Sequence, residues 1–214
     1  MKRFRNRPEA GRSLAAQLGA YAGRQDVIVL GLPRGGVPVA AEVARELGAP
    51  LDVFLVRKLG VPGREELAFG AIASGGARVL NRDVVASLGI DSETIDAVAA
   101  REQTELERRA EAYRGTAEPP ELRGRTAILV DDGLATGASM RAAVEAVRGL
   151  EPERVVVAVP AAARQTCEDL AGDVDEIVCL LTPEPFFAVG MWYTDFTETT
   201  DDEVRALLQE ARGE

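Results

Sequence analysis

Two adjacent carboxylates, Asp131 and Asp132, are the residues of this chain whose type and setting say most about chemistry. They follow an apolar run that predicts a buried strand, and a loop of small residues then leads into an apolar-periodic helix. Backbone N–H groups at a helix N-terminus favour a bound phosphate, and Thr136 and Ser139 add hydroxyl donors there. Ionised carboxylates only accept hydrogen bonds, so the acids suit a diol or a cation beside that phosphate. The pattern indicates a sugar phosphate; a plain turn with Ser139 capping the helix is the alternative.

A second anion site is predicted in the turn after the apolar segment 27–30, where the sequence is GLPRGGVP. Gly35 and Gly36 would expose backbone N–H groups, and Arg34 would offer the two parallel donors of its guanidinium group. The alternative is an ordinary glycine-rich connection between a strand and a helix. Beside the acidic segment, the anion site is the favoured interpretation.

Two further cations, Arg57 and Lys58, directly follow a predicted strand at residues 52–56. A loop bounded by glycine and proline then continues to Gly63. This arrangement places two positive charges at the carboxyl end of the predicted sheet.

Apolar segments alternate with helical patterns along most of the chain, which predicts a parallel β-sheet covered by helices on both faces. The strands are predicted at 27–30, 52–56, 127–130, 155–159 and 176–181, and the helices at 37–47, 138–149 and 162–171. Ligands bind such sheets outside the carboxyl ends of the strands. The loops 31–37, 57–64 and 131–139 lie at those ends, so we expect them to converge on one site.

Two parts of the chain stand outside this alternation. Residues 83–114 contain two helical patterns, and the second, from Ser92 to Arg114, carries Glu and Arg at spacings of three and four. We interpret this charge run as a solvated helix face, with a subunit contact as a further option. The C-terminal part, 183–202, is rich in aromatic residues before a last short helix.

The segment 127–140, AILVDDGLATGASM, resembles the PRPP (phosphoribosyl pyrophosphate) motif of type I phosphoribosyltransferases, in which two acids follow an apolar strand and Thr-Gly precedes a hydroxyl residue. The turn at 31–38 resembles the pyrophosphate loop of the same family. The resemblance implies an α/β fold with a three-layer arrangement around a parallel sheet. It also implies a single domain over residues 1–214, with a helical insertion at about 83–114 and a C-terminal hood at about 182–202.

The same resemblance implies Mg²⁺-dependent transfer of a 5-phosphoribosyl group from PRPP to a nitrogenous base, with release of pyrophosphate. The catalytic residues would be Asp131, Asp132, Arg57 and Lys58, and the two acids would also hold Mg²⁺, directly or through water. The 5-phosphate would be bound by Ala135, Thr136, Gly137, Ala138 and Ser139. The pyrophosphate would be bound by Arg34, Gly35 and Gly36, next to a cis peptide bond between Pro33 and Arg34.

Features of two subfamilies leave the acceptor open. The Arg57-Lys58 loop resembles the adenine enzymes, whereas Phe187 and Gly190 followed by Asp195 resemble the hood of the 6-oxopurine enzymes, with one residue more between the glycine and the acid. Phe187 or Trp192 would stack on a flat base, or these aromatics belong to the core or to a subunit interface. Asp195 is the third candidate for a contact with the base.

Ala135 stands where the 6-oxopurine enzymes have an Asp near the purine ring, so this loop offers no general base. Apart from the choice of base, two other functions stay open. One is a regulatory module that binds PRPP without catalysis. The other is a phosphoribosyltransferase with an acceptor that is not a nucleobase, whose site the 83–114 insertion would help to shape.

Composition excludes several functions. The net charge of −10 argues against a nucleic-acid binder, and the absence of histidine excludes His-based acid–base catalysis and typical zinc sites. We expect no membrane span and no secretory signal, hence a cytoplasmic protein. The family resemblance implies PRPP and a small-molecule acceptor as partners, a homo-oligomer, and no nucleic acid or membrane. The two cysteines, Cys167 and Cys179, are expected to be reduced and buried.

Overall fold

The computed structural model describes residues 3–115 and 118–213 of the chain. Its strands are β1 (Val27–Gly31), β2 (Leu51–Val53), β3 (Val56–Val61), β4 (Arg64–Ala73), β5 (Arg78–Leu80), β6 (Thr126–Val130), β7 (Arg154–Ala161) and β8 (Glu176–Leu181). Its α-helices are α1 (Arg7–Ala15), α2 (Gly36–Leu47), α3 (Arg82–Leu88), α4 (Ser92–Arg114), α5 (Ala138–Arg148), α6 (Arg164–Leu170) and α7 (Asp201–Arg212).

A five-stranded parallel sheet in the order β2-β1-β6-β7-β8 forms the centre of the fold. Side chains of β1 alternate between two cores: Val27 and Val29 pack with α1, α2, α4 and α7, whereas Ile28 and Leu30 pack with α5 and α6. Because helices cover both faces, the central strands are apolar throughout their length. The predicted three-layer α/β fold with a parallel sheet is confirmed.

The start of the chain pairs with the C-terminal segment that was predicted to be a hood. Phe4 forms a parallel bridge with Tyr193, and the Phe4 N–H donates to the carbonyl oxygen of Trp192 at 2.9 Å. The three aromatic side chains belong to a small apolar cluster of their own. Phe4 and the segment around residues 192–193 therefore pack together beside β8.

The segment after β2 differs from the prediction. The strand expected at 52–56 ends at Val53, and the expected loop 57–64 is instead β3 and its turn into β4, part of an antiparallel sheet in the order β3-β4-β5. The sequence 56–61 gives the reason, because Leu59 is fully buried while its neighbour Lys58 is exposed. The two cations thus lie on a hairpin strand that leaves the parallel sheet.

The charge run of helix α4 predicted a solvated face, and the structure shows that the helix also has a buried side. One side of it is buried against the core through Ile95, Val98 and Leu106, and only the other side carries the exposed charges. At its C-terminal end, Arg114 donates to Asp52 at 2.9 Å, with both side chains buried. The helix is polar despite its length, and among the described residues no helix combines the length and apolar character that a membrane crossing requires.

The expectation of reduced cysteines is wrong in this structure. Cys167 of α6 and Cys179 of β8 form a disulfide. The reason is topological: α6 connects β7 to β8 and packs against β8, so residues only 12 positions apart face each other. The spacing of the two cysteines in the sequence could not show this pairing, because it does not reveal that α6 packs against β8.

Candidate active site

The acidic pair and the glycine turn meet at the carboxyl ends of β1 and β6. Gly31 lies opposite Val130 in the parallel register, and the Leu32 N–H donates to the Val130 carbonyl oxygen at 2.9 Å. A side chain at position 35 would overlap the carboxylate of Asp132. A Cβ at position 36 would lie 2.6 Å from the Val130 carbonyl oxygen. Glycine is therefore needed at both positions for the turn to press against the acids.

The two acids lie in a setting that disfavours their charge. The backbone N–H of Asp132 donates to Oδ1 of Asp131 at 2.8 Å. Burial, reinforced by the neighbouring carboxylate, raises the pKa of Asp131 well above its usual range. Burial also raises the pKa of Asp132, against the opposing effect of Arg7. A positively charged ligand, or one that donates several hydroxyl hydrogen bonds, would stabilise the ionised form of such a pair.

Arg7, at the start of α1, is a site residue that the sequence did not indicate. Its Nε and Nη2 both contact Oδ2 of Asp132, at 2.9 and 2.8 Å, and its Nη1 donates to the carbonyl oxygen of Thr197 at 2.7 Å. The guanidinium also lies 4.0 Å from the ring centre of Phe196. One side chain thus joins α1, the acidic pair and the C-terminal segment. Because the partners lie 125 and 190 positions away, no local pattern points to this role.

The predicted phosphate loop, residues 135–139, stands at the N-terminus of α5. Gly137 has φ of 70° and is the residue before the helix, a conformation that favours glycine. Thr166, another residue that the sequence did not indicate, donates from its hydroxyl to the Ala135 carbonyl oxygen at 2.7 Å. The loop is held from α6 and leads into the amino end of α5, a position whose backbone N–H groups favour an anion.

The predicted pyrophosphate loop has one difference from expectation. The Gly36 N–H is not exposed for a ligand, because it donates to the Leu32 carbonyl oxygen at 3.0 Å. The Arg34 guanidinium pairs with Glu198 of the C-terminal segment. The expected cis peptide bond between Pro33 and Arg34 is present.

The two cations of β3 lie in different places. Arg57 lines a cavity of about 140 Å³ together with Asp131, Ser139 and Leu106. Its guanidinium donates twice to Oε2 of the buried Glu102 on α4, at 2.9 and 2.5 Å. Lys58 does not line this cavity and borders a neighbouring cleft instead. Residues of strand β3 and helix α4 therefore border the cavity at Asp131 on this side of the site.

The three predicted base-binding residues are placed unequally. Phe187 is 73% exposed, whereas Trp192 is 6% exposed and stacks on Phe186 with ring centres 6.3 Å apart. Trp192 thus has the core position that the sequence left open as the alternative to base stacking. Asp195 accepts from the backbone and hydroxyl of Thr197, at 3.0 and 2.6 Å. Contacts of Phe187 and Asp195 with a base stay a prediction.

Tyr193 links the C-terminal segment to the acids. Its hydroxyl donates to the backbone carbonyl oxygen of Asp132 at 2.7 Å, and burial raises the pKa of this phenol. The tyrosine therefore keeps its proton and holds the acidic segment in place as a donor.

The acidic pair fits Mg²⁺ only as a partial ligand set. Among residues 3–115 and 118–213, no group of three or more His, Cys, Asp or Glu side chains is placed to hold a metal ion. Mg²⁺ is commonly bound by one or two carboxylates together with substrate oxygens and water. Asp131 and Asp132 suit that mode, in which the ion arrives with the substrate.

Comparison with known sequences and structures indicates the family of the chain independently of the site geometry. A model of the family described as phosphoribosyl transferase domain matches residues 2–193. A protein of Mycobacterium tuberculosis with the provisional name phosphoribosyl transferase Rv0571c is 53% identical over 211 residues, 99% of this chain and 47% of that protein. The protein named bifunctional protein PyrR of Chloroflexus aurantiacus is 33% identical over 129 residues, 59% of this chain and 65% of that protein.

Among solved structures, TT1426 from Thermus thermophilus has a TM-score of 0.88 and 48% sequence identity, covering 97% of this chain and 98% of that one. The overall fold is therefore shared with a known structure along nearly its whole length. The chain spans about half the length of the Mycobacterium tuberculosis relative.

Proposed function

Because the chain belongs to the phosphoribosyl transferase domain family, we propose that it transfers a 5-phosphoribosyl group from PRPP to a nitrogenous base, releases pyrophosphate and requires Mg²⁺. One observation carries the proposal. The acids 131–132, the loop 135–139 and the turn 33–36 lie side by side at the carboxyl edge of the sheet. Subsites for a phosphate, a diol and a second anion at these three places would match the three parts of PRPP.

The protein's own groups act by position and charge. The loop 135–139 would bind the 5-phosphate, and Asp131 and Asp132 would accept hydrogen bonds from the ribose 2- and 3-hydroxyls. As the bond from C1 to the pyrophosphate oxygen breaks, the field of the acids stabilises the positive charge that develops on the ring. Arg34 and Arg57 offset the charge of the leaving group. Bound Mg²⁺ would supply further positive charge at the pyrophosphate oxygens.

Exclusion of water is the second requirement, since the cationic sugar would otherwise be hydrolysed. Strand β3 and α4 line the cavity at Asp131, and Tyr193 of the C-terminal segment contacts Asp132. Ala135 offers no general base, so removal of the proton from the acceptor nitrogen would fall to another residue or to the base itself.

The direct test is pyrophosphate release from PRPP and Mg²⁺ in the presence of a panel of purine and pyrimidine bases. Release with one base, abolished by a chelator of Mg²⁺, is the expected result. Binding of PRPP without release with any acceptor would replace the proposal by a regulatory module. Release only with an acceptor outside the nucleobases would keep the chemistry and change the substrate.

Substitution of Asp132→Asn tests the assignment of the acids. We expect turnover to fall by about 10²–10³, because one electrostatic contact to the reacting centre is lost. Circular dichroism and the unfolding transition should show a folded protein. Turnover close to that of the unchanged chain would contradict the assignment.

The remaining expectations are proposals of the same kind: one catalytic domain over residues 1–214, a homo-oligomer and a cytoplasmic setting, without nucleic acid or membrane as partner. Light scattering coupled to gel filtration measures the subunit number directly. A monomer that turns over at full rate would remove the homo-oligomer from the proposal.

A further inference from the structure

Helix α4 brings two arginines to the turn that carries Arg34. A cavity of about 310 Å³ lies between them, bordered by Arg34, Arg108, Arg109, Tyr113 and Asp201. At about 30 Å³ for each water molecule, it has room for roughly ten waters, enough for a diphosphate. The charges around it are three guanidinium groups and one carboxylate.

Arg109 also borders the smaller cavity that contains Asp131 and Ser139. One side chain of α4 thus lies at both cavities, which also share Pro33, so the three-arginine cavity lies next to the one that Asp131 borders. The predicted phosphate loop lies at the N-terminus of α5, and none of its residues borders the three-arginine cavity. An anion in the three-arginine cavity would therefore be a different group from the 5-phosphate.

The arginines have partners that an anion can replace. Arg108 and Arg109 both pair with Glu105, at 2.9 and 2.8 Å, and Arg34 pairs with Glu198. All three guanidinium side chains are between 41% and 67% exposed, and exposed pairs of this kind contribute little free energy. A ligand with several negative charges competes well for such groups, because guanidinium binds phosphate oxygens through two parallel donors.

The position of α4 is fixed independently of these charges. Its apolar side packs in the core, and Tyr113 donates from its hydroxyl to Asp201 of α7 at 2.6 Å. The arginines therefore project from a rigid support rather than from a loose loop. Their placement across from Arg34 is a property of the fold.

We propose that Arg108 and Arg109 of α4, together with Arg34, bind the pyrophosphate group of the donor substrate. The assignment rests on the proposed function and gives the helical insertion a role in it. Three guanidinium groups around one cavity match a diphosphate better than a single phosphate, since each can bind its own pair of oxygens. The same groups would stabilise the charge that collects on the leaving pyrophosphate.

The test is isothermal titration calorimetry of inorganic pyrophosphate, ribose 5-phosphate and PRPP, each in the presence of Mg²⁺. The variants are Arg109→Ala and the double variant Arg108→Ala/Arg109→Ala. The control is Arg123→Ala, which removes another exposed arginine that pairs with an acid, Glu151. Thermal unfolding of each variant shows whether the fold is kept.

We expect Arg109→Ala to weaken pyrophosphate and PRPP by about tenfold, as for a lost hydrogen bond to a charged group, and the double variant to weaken them further. Ribose 5-phosphate should bind all variants equally, and Arg123→Ala should bind all three ligands normally. Unchanged pyrophosphate binding in the double variant would overturn the inference while leaving the proposed function intact. An equal loss for ribose 5-phosphate would also overturn it, because the site as a whole would then have changed.

The proposed function fails in a different way. If the unchanged chain binds neither PRPP nor ribose 5-phosphate, the donor assignment is wrong whatever the variants do. If the unchanged chain binds only pyrophosphate, and the double variant no longer binds it, the three-arginine site is supported but the transferase reaction is not.

Discussion

Arg7 is a single residue that affects both the charge balance and the orientation of the acidic pair. Its side chain is 10% exposed and that of its partner Asp132 is 15% exposed, so the pair is largely removed from water. Removing one partner of a buried ion pair leaves an uncompensated charge, which costs far more than breaking an exposed pair. The arginine also fixes the direction of the carboxylate, because both contacting nitrogens meet the same oxygen.

We predict that Arg7→Met destabilises the protein by about 3 kcal/mol and lowers turnover, whereas Arg7→Lys restores part of both. Urea unfolding and steady-state kinetics measure the two effects. The matched control is Arg5→Met, because Arg5 is 75% exposed and pairs only with the nearby Glu9 in the described contacts. A double variant Arg7→Met/Asp132→Asn should lose less than the sum of the single variants. Additive losses would mean that the contact has no energetic role.

The raised pKa of Asp131 makes a prediction about pH. A carboxyl whose folded pKa lies above its unfolded value of about 3.9 binds more protons in the folded state. Its contribution to stability is therefore present below pH of about 4 and is lost as the pH rises through the folded pKa. Without Mg²⁺ or substrate, Asp131→Asn should raise stability at neutral pH relative to the unchanged chain and have no benefit at low pH. A pH-independent difference in unfolding free energy would contradict the burial of this charge.

At the level of elements, the sequence predicts best where a local pattern decides the structure. Strands β1 and β6 and helix α5 are marked by apolar runs and by Gly137, and all three elements are present where the sequence predicts them. The hairpin of β3 and β4 was not predicted, because short apolar runs with glycine fit a loop as well as a strand. The buried side of α4 was missed for a related reason: Glu102 becomes a buried partner of Arg57 only after both elements have packed.

The disulfide between α6 and β8 leads to a prediction about these two elements. Closing a loop of this length contributes about 2–3 kcal/mol, chiefly by restricting the unfolded chain. Replacing both Cys167 and Cys179 by Ser should lower the free energy of unfolding by that amount. A reducing agent should destabilise the unchanged chain and leave the double variant unaffected. Titration of two free thiols in the folded, untreated protein would contradict the bridge.

At the level of the whole molecule, the site is assembled from distant parts of the chain. Helix α1, the β1 turn, helix α4, the β6 loop and the C-terminal segment all reach one edge of the sheet. Parallel topology explains why the loops after β1 and β6 meet, and it could be predicted. The contributions of Arg7, Thr166 and Tyr193 could not, because they arise from packing between elements that the sequence does not order in space.

An assembled site of this kind should couple ligand binding to global stability. A ligand that binds only the folded state at about 100 times its dissociation constant adds about 2.7 kcal/mol. We predict that PRPP with Mg²⁺ raises the midpoint of thermal unfolding, and that Asp132→Asn reduces the shift. Scanning calorimetry at several PRPP concentrations checks this. An unfolding midpoint that does not respond to PRPP would argue against a donor site built from these segments.

The contact between position 35 and Asp132 has a consequence for how this chain can change over evolutionary time. A methyl group at position 35 has no space while the carboxylate is present, and shortening the acid to make that space removes the group on which the proposed chemistry depends. No order of two single substitutions avoids a defective intermediate. We therefore expect the glycine and the acid to be inherited together, and a homologue that has lost one of them to have given up the reaction.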